Sequence, residues 1–259
     1  MANYIDTLFN IRGKTVFLTG AGGHIVGELS KGFARAGCRT IVGDLRLHKA
    51  QAIVDILIQE GCEAIALEID VTKVSSWESA LSNIVNKFSV VDILLNGAGI
   101  NAPTPFFDIK EDEWDRVFST NLTGTLFGCQ IIGKHMVSNN RGSIINISSA
   151  SAGPPLSKAF AYSAAKSGVK NLTENIAREF AISGVRVNSL RPGFFPTDWN
   201  LKNFITEERK NSILGHTPMK RFGETHELIG AALFLASDAA KFVTGAEICV
   251  DGGFLAMTI

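Results

Sequence analysis

The sequence predicts one α/β domain spanning residues 1–259, a single doubly wound parallel sheet of Rossmann type with helices on both faces. Three observations predict it. Short β-branched runs alternate with longer helix-like segments from end to end. The runs are apolar almost throughout, as strands covered on both faces must be. The chain of 259 residues suits one α/β domain and carries no linker, internal repeat or low-complexity tract that would divide it.

The elements follow in order. Residues 15–18 form a compact apolar run ending at Thr19-Gly20, and a helix is expected over 24–36, stopped by Gly37. A strand at 40–42, a helix around 47–60 and a strand at 63–69 come next. A helix near 75–88 leads to a strand at 90–95. One long helical region is expected over 111–137, then a strand at 143–147 and a helix over 157–182. A strand at 185–190, a helix near 224–237 and a strand at 247–250 complete the pattern. Right-handed crossovers would wind these into one sheet, with ligands bound beyond the carboxyl ends of its strands. Residues 194–222 show only weak periodicity and read as a substrate lid inserted between the last two βα units.

Composition excludes several functions. Lys and Arg number 25 and Asp and Glu 25, giving zero formal charge, so no basic stripe points to nucleic acid or an anionic membrane. No apolar stretch is long enough to span a bilayer, and the N-terminus lacks a signal-peptide pattern. The four cysteines are far apart in sequence and read as reduced thiols of a cytoplasmic protein. Cys and His occur at no metal-ligand spacing, so no metal is expected.

The turn Thr19-Gly20-Ala21-Gly22-Gly23 joins the first strand to the first helix. Glycines there let backbone N–H groups approach a pyrophosphate, and the helix N-terminus adds partial positive charge. A Gly-rich turn alone is equally an ordinary tight turn, and its place after the first strand favours the phosphate reading. Asp44 ends the second strand and can accept both ribose hydroxyls of an adenosine. Its charge would repel a 2′-phosphate by about 4 kcal/mol at ~4 Å and an effective dielectric near 20. NAD is therefore favoured over NADP, with Arg46 the competing feature and a turn-capping role the plainer account of Asp44.

Tyr162 and Lys166 stand four apart on a predicted helix and share a face. A free phenol, with a pKa near 10, is a poor base at neutral pH, and a nearby ammonium and an oxidised nicotinamide would favour the phenolate. The same spacing on an exposed face would be a solvated pair, but this tyrosine is one of only two and follows a Ser-rich strand end. Ser148 and Ser149 terminate the fifth strand, where a hydroxyl can orient a substrate oxygen toward Tyr162; capping the turn is the alternative, expected for Ser148. Asn121, a mediocre helix former, can hold a water that relays a proton from Lys166.

Together these residues resemble the short-chain dehydrogenase/reductase family over essentially the whole chain. The family's TGxxxGxG turn matches in part at Thr19 to Val26, its acid at Asp44, its Asp-Val at Asp70-Val71, its NNAG at Asn96-Gly97-Ala98-Gly99, and its PG motif at Pro192-Gly193. The resemblance implies a catalytic tetrad of Asn121, Ser149, Tyr162 and Lys166, with Ser149 chosen because it lies 13 residues before the tyrosine. It implies cofactor contacts from Gly20, Gly23, His24, Ile25, Asp44, Leu45, Asp70, Val71, Asn96, Ala98, Tyr162, Lys166, Pro192, Gly193, Phe195 and Thr197. His24 and Val26 depart from the family, which has Gly at both places, with Gly23 and Gly27 as candidate compensations. The resemblance also implies a homotetramer.

The segments Ala98 to Asn101, Arg221 to Gly223 and Asp251 to Phe254 look like family members acting on polyols or keto-sugar acids, such as gluconate 5-dehydrogenase-like proteins. Asn101, Ser151 and Trp199 are the candidate substrate contacts. The rival functions are reduction of another carbonyl, a 3-oxoacyl thioester or hydroxysteroid, and a nicotinamide-binding sensor without turnover.

Overall fold

The computed structural model describes residues 3–197, 201 and 205–257. Seven strands form one parallel sheet in the order β3-β2-β1-β4-β5-β6-β7. They are β1 (Thr15–Thr19), β2 (Arg39–Asp44), β3 (Ala64–Glu68), β4 (Ile93–Asn96), β5 (Gly142–Ile147), β6 (Val185–Pro192) and β7 (Glu247–Val250). The strand order reverses between β1 and β4, which leaves a crevice beyond their carboxyl ends. The registers Leu18↔Val42, Leu95↔Ile145 and Ile147↔Leu190 keep those ends level.

Helices cover both faces. On one side α2 (His24–Arg35), α3 (Leu47–Gln59) and α9 (Ile229–Ala236) press Leu29, Phe33, Val54, Leu57, Ala232 and Leu235 onto the sheet. On the other, α4 (Val74–Phe88), α6 (Gly124–Ser138) and α7 (Phe160–Phe180) contribute Trp77, Ile84, Ile132, Met136 and Ala177. Every β1 side chain is buried, which is why the strand sequences do not alternate. Each large buried side chain contributes about 1.5–3 kcal/mol, so these two layers are the main source of stability.

Three elements differ from expectation. A short helix, α1 (Tyr4–Leu8), precedes the sheet; it has no buried residue and therefore no apolar stripe to announce it. The long helix expected over 111–137 is α5 (Glu111–Phe118) and α6 joined by a π-helical turn, Ser119–Thr123. The weakly patterned segment contains a helix, α8 (Glu207–His216), capped by the Thr206 hydroxyl, which accepts from Arg209 N at 3.2 Å. Only Ile213 of that helix is buried, so its period is faint in the sequence. No described helix is long and apolar enough to cross a membrane.

Candidate active site

A groove of about 790 Å³ runs along the carboxyl edge of β1, β2 and β4. The turn after β1 forms its floor. Gly20 has φ +72°, and a Cβ there would lie 2.6 Å from Ala98 Cα, so two backbones meet with no side chain between them. Gly23 is the N-cap of α2 and supplies no side-chain cap, which leaves the first amides of this 12-residue helix open to an anion. This is a cradle that fits a pyrophosphate.

The two departures from the glycine pattern settle into different surroundings. Val26 is 4% exposed and belongs to the core, where a Cβ on Gly97 would lie 2.5 Å from its Cγ2. A side chain at one position is matched by its absence at the other. His24 is exposed and lines the groove. Gly27 supplies close helix-to-turn packing, since a Cβ there would lie 3.1 Å from Ala21 O.

Asp44 lines the groove while 5% exposed. Its Oδ2 accepts from Gly22 N at 3.0 Å and its Oδ1 from Arg46 N at 3.0 Å, with Arg46 Nε 3.5 Å away. The acid thus also caps the turn and ties β2 to the glycine loop. Asp70 accepts from Thr72 Oγ1 at 2.6 Å and faces Lys73 Nζ at 3.0 Å. The Thr72 bonds, then Lys73, hold its carboxyl below the usual range, although burial opposes them. Ile25, Leu45, Val71, Ala98, Phe195 and Thr197 also line the groove. Thr72, Arg116 and Thr120 line it too and were not singled out in the sequence.

Five expected cofactor residues lie off this wall. Asn96 turns away: its Nδ2 donates to Asn146 Oδ1 at 2.9 Å on the face that carries α6 and α7. Strand parity explains the side chain's direction, because Leu95 packs in the opposite layer. Pro192 ends β6, and Gly193 shapes the following turn, where a Cβ would lie 2.7 Å from Asp251 Cα. Tyr162 and Lys166 are not among the groove-lining residues; Lys166 stands next to Gly99, which is, and Tyr162 stands beside Lys166.

Gly99 joins the two regions. It lines the groove, and a Cβ there would lie 2.6 Å from Asn121 Oδ1 and 3.7 Å from Lys166 Nζ. Asn121 is fully buried in the π turn, with Nδ2 donating to Ile100 O at 2.8 Å and Val117 O at 2.9 Å. Its Oδ1 has no partner among the described residues. Lys166, 3% exposed, donates from Nζ to Ile147 O at 2.7 Å, and Nζ lies 5.7 Å from the Tyr162 ring centroid. Burial lowers its pKa to about 8.

Tyr162 is half-buried on α7. Burial pushes its phenol above the ordinary value, and a hydrogen bond with the Ser149 hydroxyl pulls it back down. The sequence led us to expect a phenol made acidic by its lysine; in the protein alone the direction is upward, because desolvation outweighs the Ser149 bond. The cap expected of Ser148 falls to Ser149. Its Oγ accepts from Ser151 N at 3.2 Å, whereas the buried Ser148 Oγ has no partner among the described residues. Ser151 is 2% exposed and donates to Ser149 Oγ at 3.0 Å, so it supports Ser149 instead of reaching open space. Asn101 is exposed in the loop after β4, and Trp199 lies outside the described residues.

Sequence reading gave Thr19 no role beyond its place in the turn and overlooked Arg191. Thr19 Oγ1 accepts from Gly97 N at 3.3 Å and so joins the two loops of the groove floor. Arg191 reaches the Ser149 turn from β6. Burial pushes the Cys38 and Cys129 thiols up to about 12, which removes them as nucleophiles. Among the described residues no group of His, Cys, Asp and Glu is placed to hold a metal.

Known proteins are similar to this chain in sequence and fold. A family model described as enoyl-(acyl carrier protein) reductase matches residues 20–255. The 5-keto-D-gluconate 5-reductase of Escherichia coli (strain K12) is 34% identical, covering 97% of this chain and 99% of the relative. A gluconate 5-dehydrogenase from Burkholderia cenocepacia J2315, solved in complex with NADP and tartrate, has a TM-score of 0.94 at 30% identity, over 98% of this chain and 100% of its own. A 7α-hydroxysteroid dehydrogenase complexed with NADH and 7-oxo glycochenodeoxycholic acid has a TM-score of 0.91 at 33% identity, over 98% of each chain.

Proposed function

The chain belongs to the short-chain dehydrogenase/reductase family, and on that premise we propose that it oxidises and reduces a secondary alcohol and its ketone on a sugar acid or polyol. The observation that carries this reading is the convergence of Tyr162, the Ser149 hydroxyl that lowers its phenol, and buried Lys166, whose Nζ lies 5.7 Å from the Tyr162 ring centroid and next to Gly99 of the groove. Two relatives of over 30% or 30% identity, each matched along nearly its full length, are named for gluconate chemistry.

When bound, the nicotinamide cofactor supplies or accepts the hydride. Gly20, Gly23 and the first turn of α2 would hold its pyrophosphate, Asp44 its adenosine ribose, and Phe195 and Thr197 the opposite end. Ser149 Oγ hydrogen-bonds the substrate oxygen and holds it beside the Tyr162 phenol. Tyr162 gives that oxygen a proton in reduction and takes it back in oxidation. Lys166, with a pKa near 8, is still mainly a cation at pH 7 and stabilises negative charge on the phenol oxygen. The unpartnered Asn121 Oδ1 accepts from a water that passes protons to and from Lys166.

NAD is the preferred cofactor in this reading, because Asp44 faces the groove and a 2′-phosphate would meet its charge. Residues 194–222, with α8, act as the substrate lid. The protein works in the cytoplasm, consistent with its unpaired thiols, as a homotetramer. The half-exposed Trp114, stacked on Phe118 along α5, supports an interface there; light scattering that finds only monomers would refute it.

The test is a panel of sugar acids, keto-sugar acids and polyols with each nicotinamide cofactor, read at 340 nm. Turnover of a sugar acid or polyol pair is expected, with kcat/KM at least about 10-fold higher for NAD, a modest share of the repulsion at Asp44. No turnover across the panel would contradict the proposed chemistry. A preference for NADP would contradict the role given to Asp44.

A further inference from the structure

We propose that Arg191 is a positioning residue: its guanidinium pins the turn carrying Ser149 and thereby aims the Ser149 hydroxyl at Tyr162. The inference rests on the reading of Ser149 and Tyr162 given above.

The β5–β6 ladder runs from Gly142↔Val185 to Ile147↔Leu190, with one further bond from Ser148 N to Leu190 O at 2.9 Å. The main-chain ladder therefore stops just short of Ser149. Arg191 continues it with a side chain. Its Nε donates to Ser149 O at 3.0 Å and its Nη2 to Ala150 O at 3.2 Å. The turn closes over the guanidinium, since a Cβ on Gly153 would lie 2.6 Å from Nη2. The remaining branch, Nη1, meets Glu247 Oε2 on β7 at 2.8 Å.

The pairing is nearly enclosed, with the Arg191 and Glu247 side chains 10% and 12% exposed. Burying such a pair does little for stability, and an apolar pair of similar size often serves as well. What an apolar pair lacks is a planar fork that holds two successive carbonyls in one orientation. That orientation bears on Ser149 directly, because the same hydroxyl caps the turn of 150–152 and is the neighbour that lowers the Tyr162 phenol.

The decisive variant replaces both charges, Arg191→Met with Glu247→Met, so that no lone charge is left buried. It is expected to fold, to bind NAD within about twofold of the parent, and to lose kcat by about 10- to 100-fold, the scale of a small misplacement of a reacting group. A second readout needs no turnover. The chain has two tyrosines, Tyr4 and Tyr162, so in a Tyr4→Phe background the phenol titration reports Tyr162 alone. With Ser149 misaimed, that titration moves to higher pH. If the double variant does not fold, Arg191→Lys, which keeps the charge opposite Glu247 but not the fork, is expected to shift both readouts the same way. A folded variant with parental kcat and an unmoved phenol titration would overturn the proposal. A parent protein that turns over no sugar acid or polyol would sink the functional reading, while the titration would still decide the role of Arg191.

Discussion

The two halves of the cleft are built differently. Along β1, β2 and β4 the chain makes room by leaving side chains out: Gly20, Gly97 and Gly99 each sit where a Cβ would strike a neighbour. Along β5 and α7 it does the reverse and buries polar groups with incomplete partners. Among the described residues Lys166 is enclosed with a single hydrogen bond, to Ile147 O, and Asn121 Oδ1 and Ser148 Oγ have none. The first half is shaped to receive a ligand by backbone; the second keeps unsatisfied groups that a ligand or water can complete. Substitutions should accordingly act on binding in the first half and on turnover in the second.

The largest expected effect is Lys166→Met. Turnover should fall by at least about 10²-fold, the low end of the contribution of a positioned proton-transfer group, with cofactor affinity little changed. Stability should move the other way. The folded protein releases the Lys166 proton near pH 8, whereas an unfolded lysine keeps it to 10.5. The unfolded state therefore binds more protons between those values, and stability rises with pH across that window. The lowered pKa corresponds to a cost of about 3 kcal/mol at neutral pH. Lys166→Met should flatten the rise and fold at least as stably at pH 7. Denaturant titrations at pH 7 and 9.5 that show equal pH dependence in parent and variant would contradict this.

Gly20→Val should act on the other half. Its Cβ would press on Ala98 Cα, and the left-handed conformation adds roughly 1–2 kcal/mol. Cofactor affinity measured by calorimetry should weaken by about 10-fold or more, with some loss of thermal stability. An unchanged affinity would show that this turn does not hold the cofactor.

How far the sequence reveals these regions depends on what each is made of. Buried strands announce themselves as apolar runs, because both faces are covered, and the sheet follows from them. The glycine turn is readable because a left-handed turn pressed against another backbone, as Gly20 is against Ala98, calls for glycine. The π turn at Ser119–Thr123 is hidden, since its residues also suit a helix and one extra backbone step leaves no mark on composition. Helix α8 is hidden because a single buried residue makes no stripe. The motif at Asn96 does not reveal which face its side chain takes, whereas strand parity sends it to the face opposite Leu95. Arg191 looks like any strand residue until β7 and the Ser149 turn converge on it.

In the proposed reaction Tyr162 is the group that exchanges the substrate proton beside a backbone-built cofactor groove. Tyr162→Phe removes one oxygen and leaves the groove untouched, so turnover and NAD affinity should be measured on the same preparation. Affinity within about twofold of the parent with turnover lowered by at least about 10²-fold is the predicted result. Parental turnover in the phenylalanine variant would contradict it.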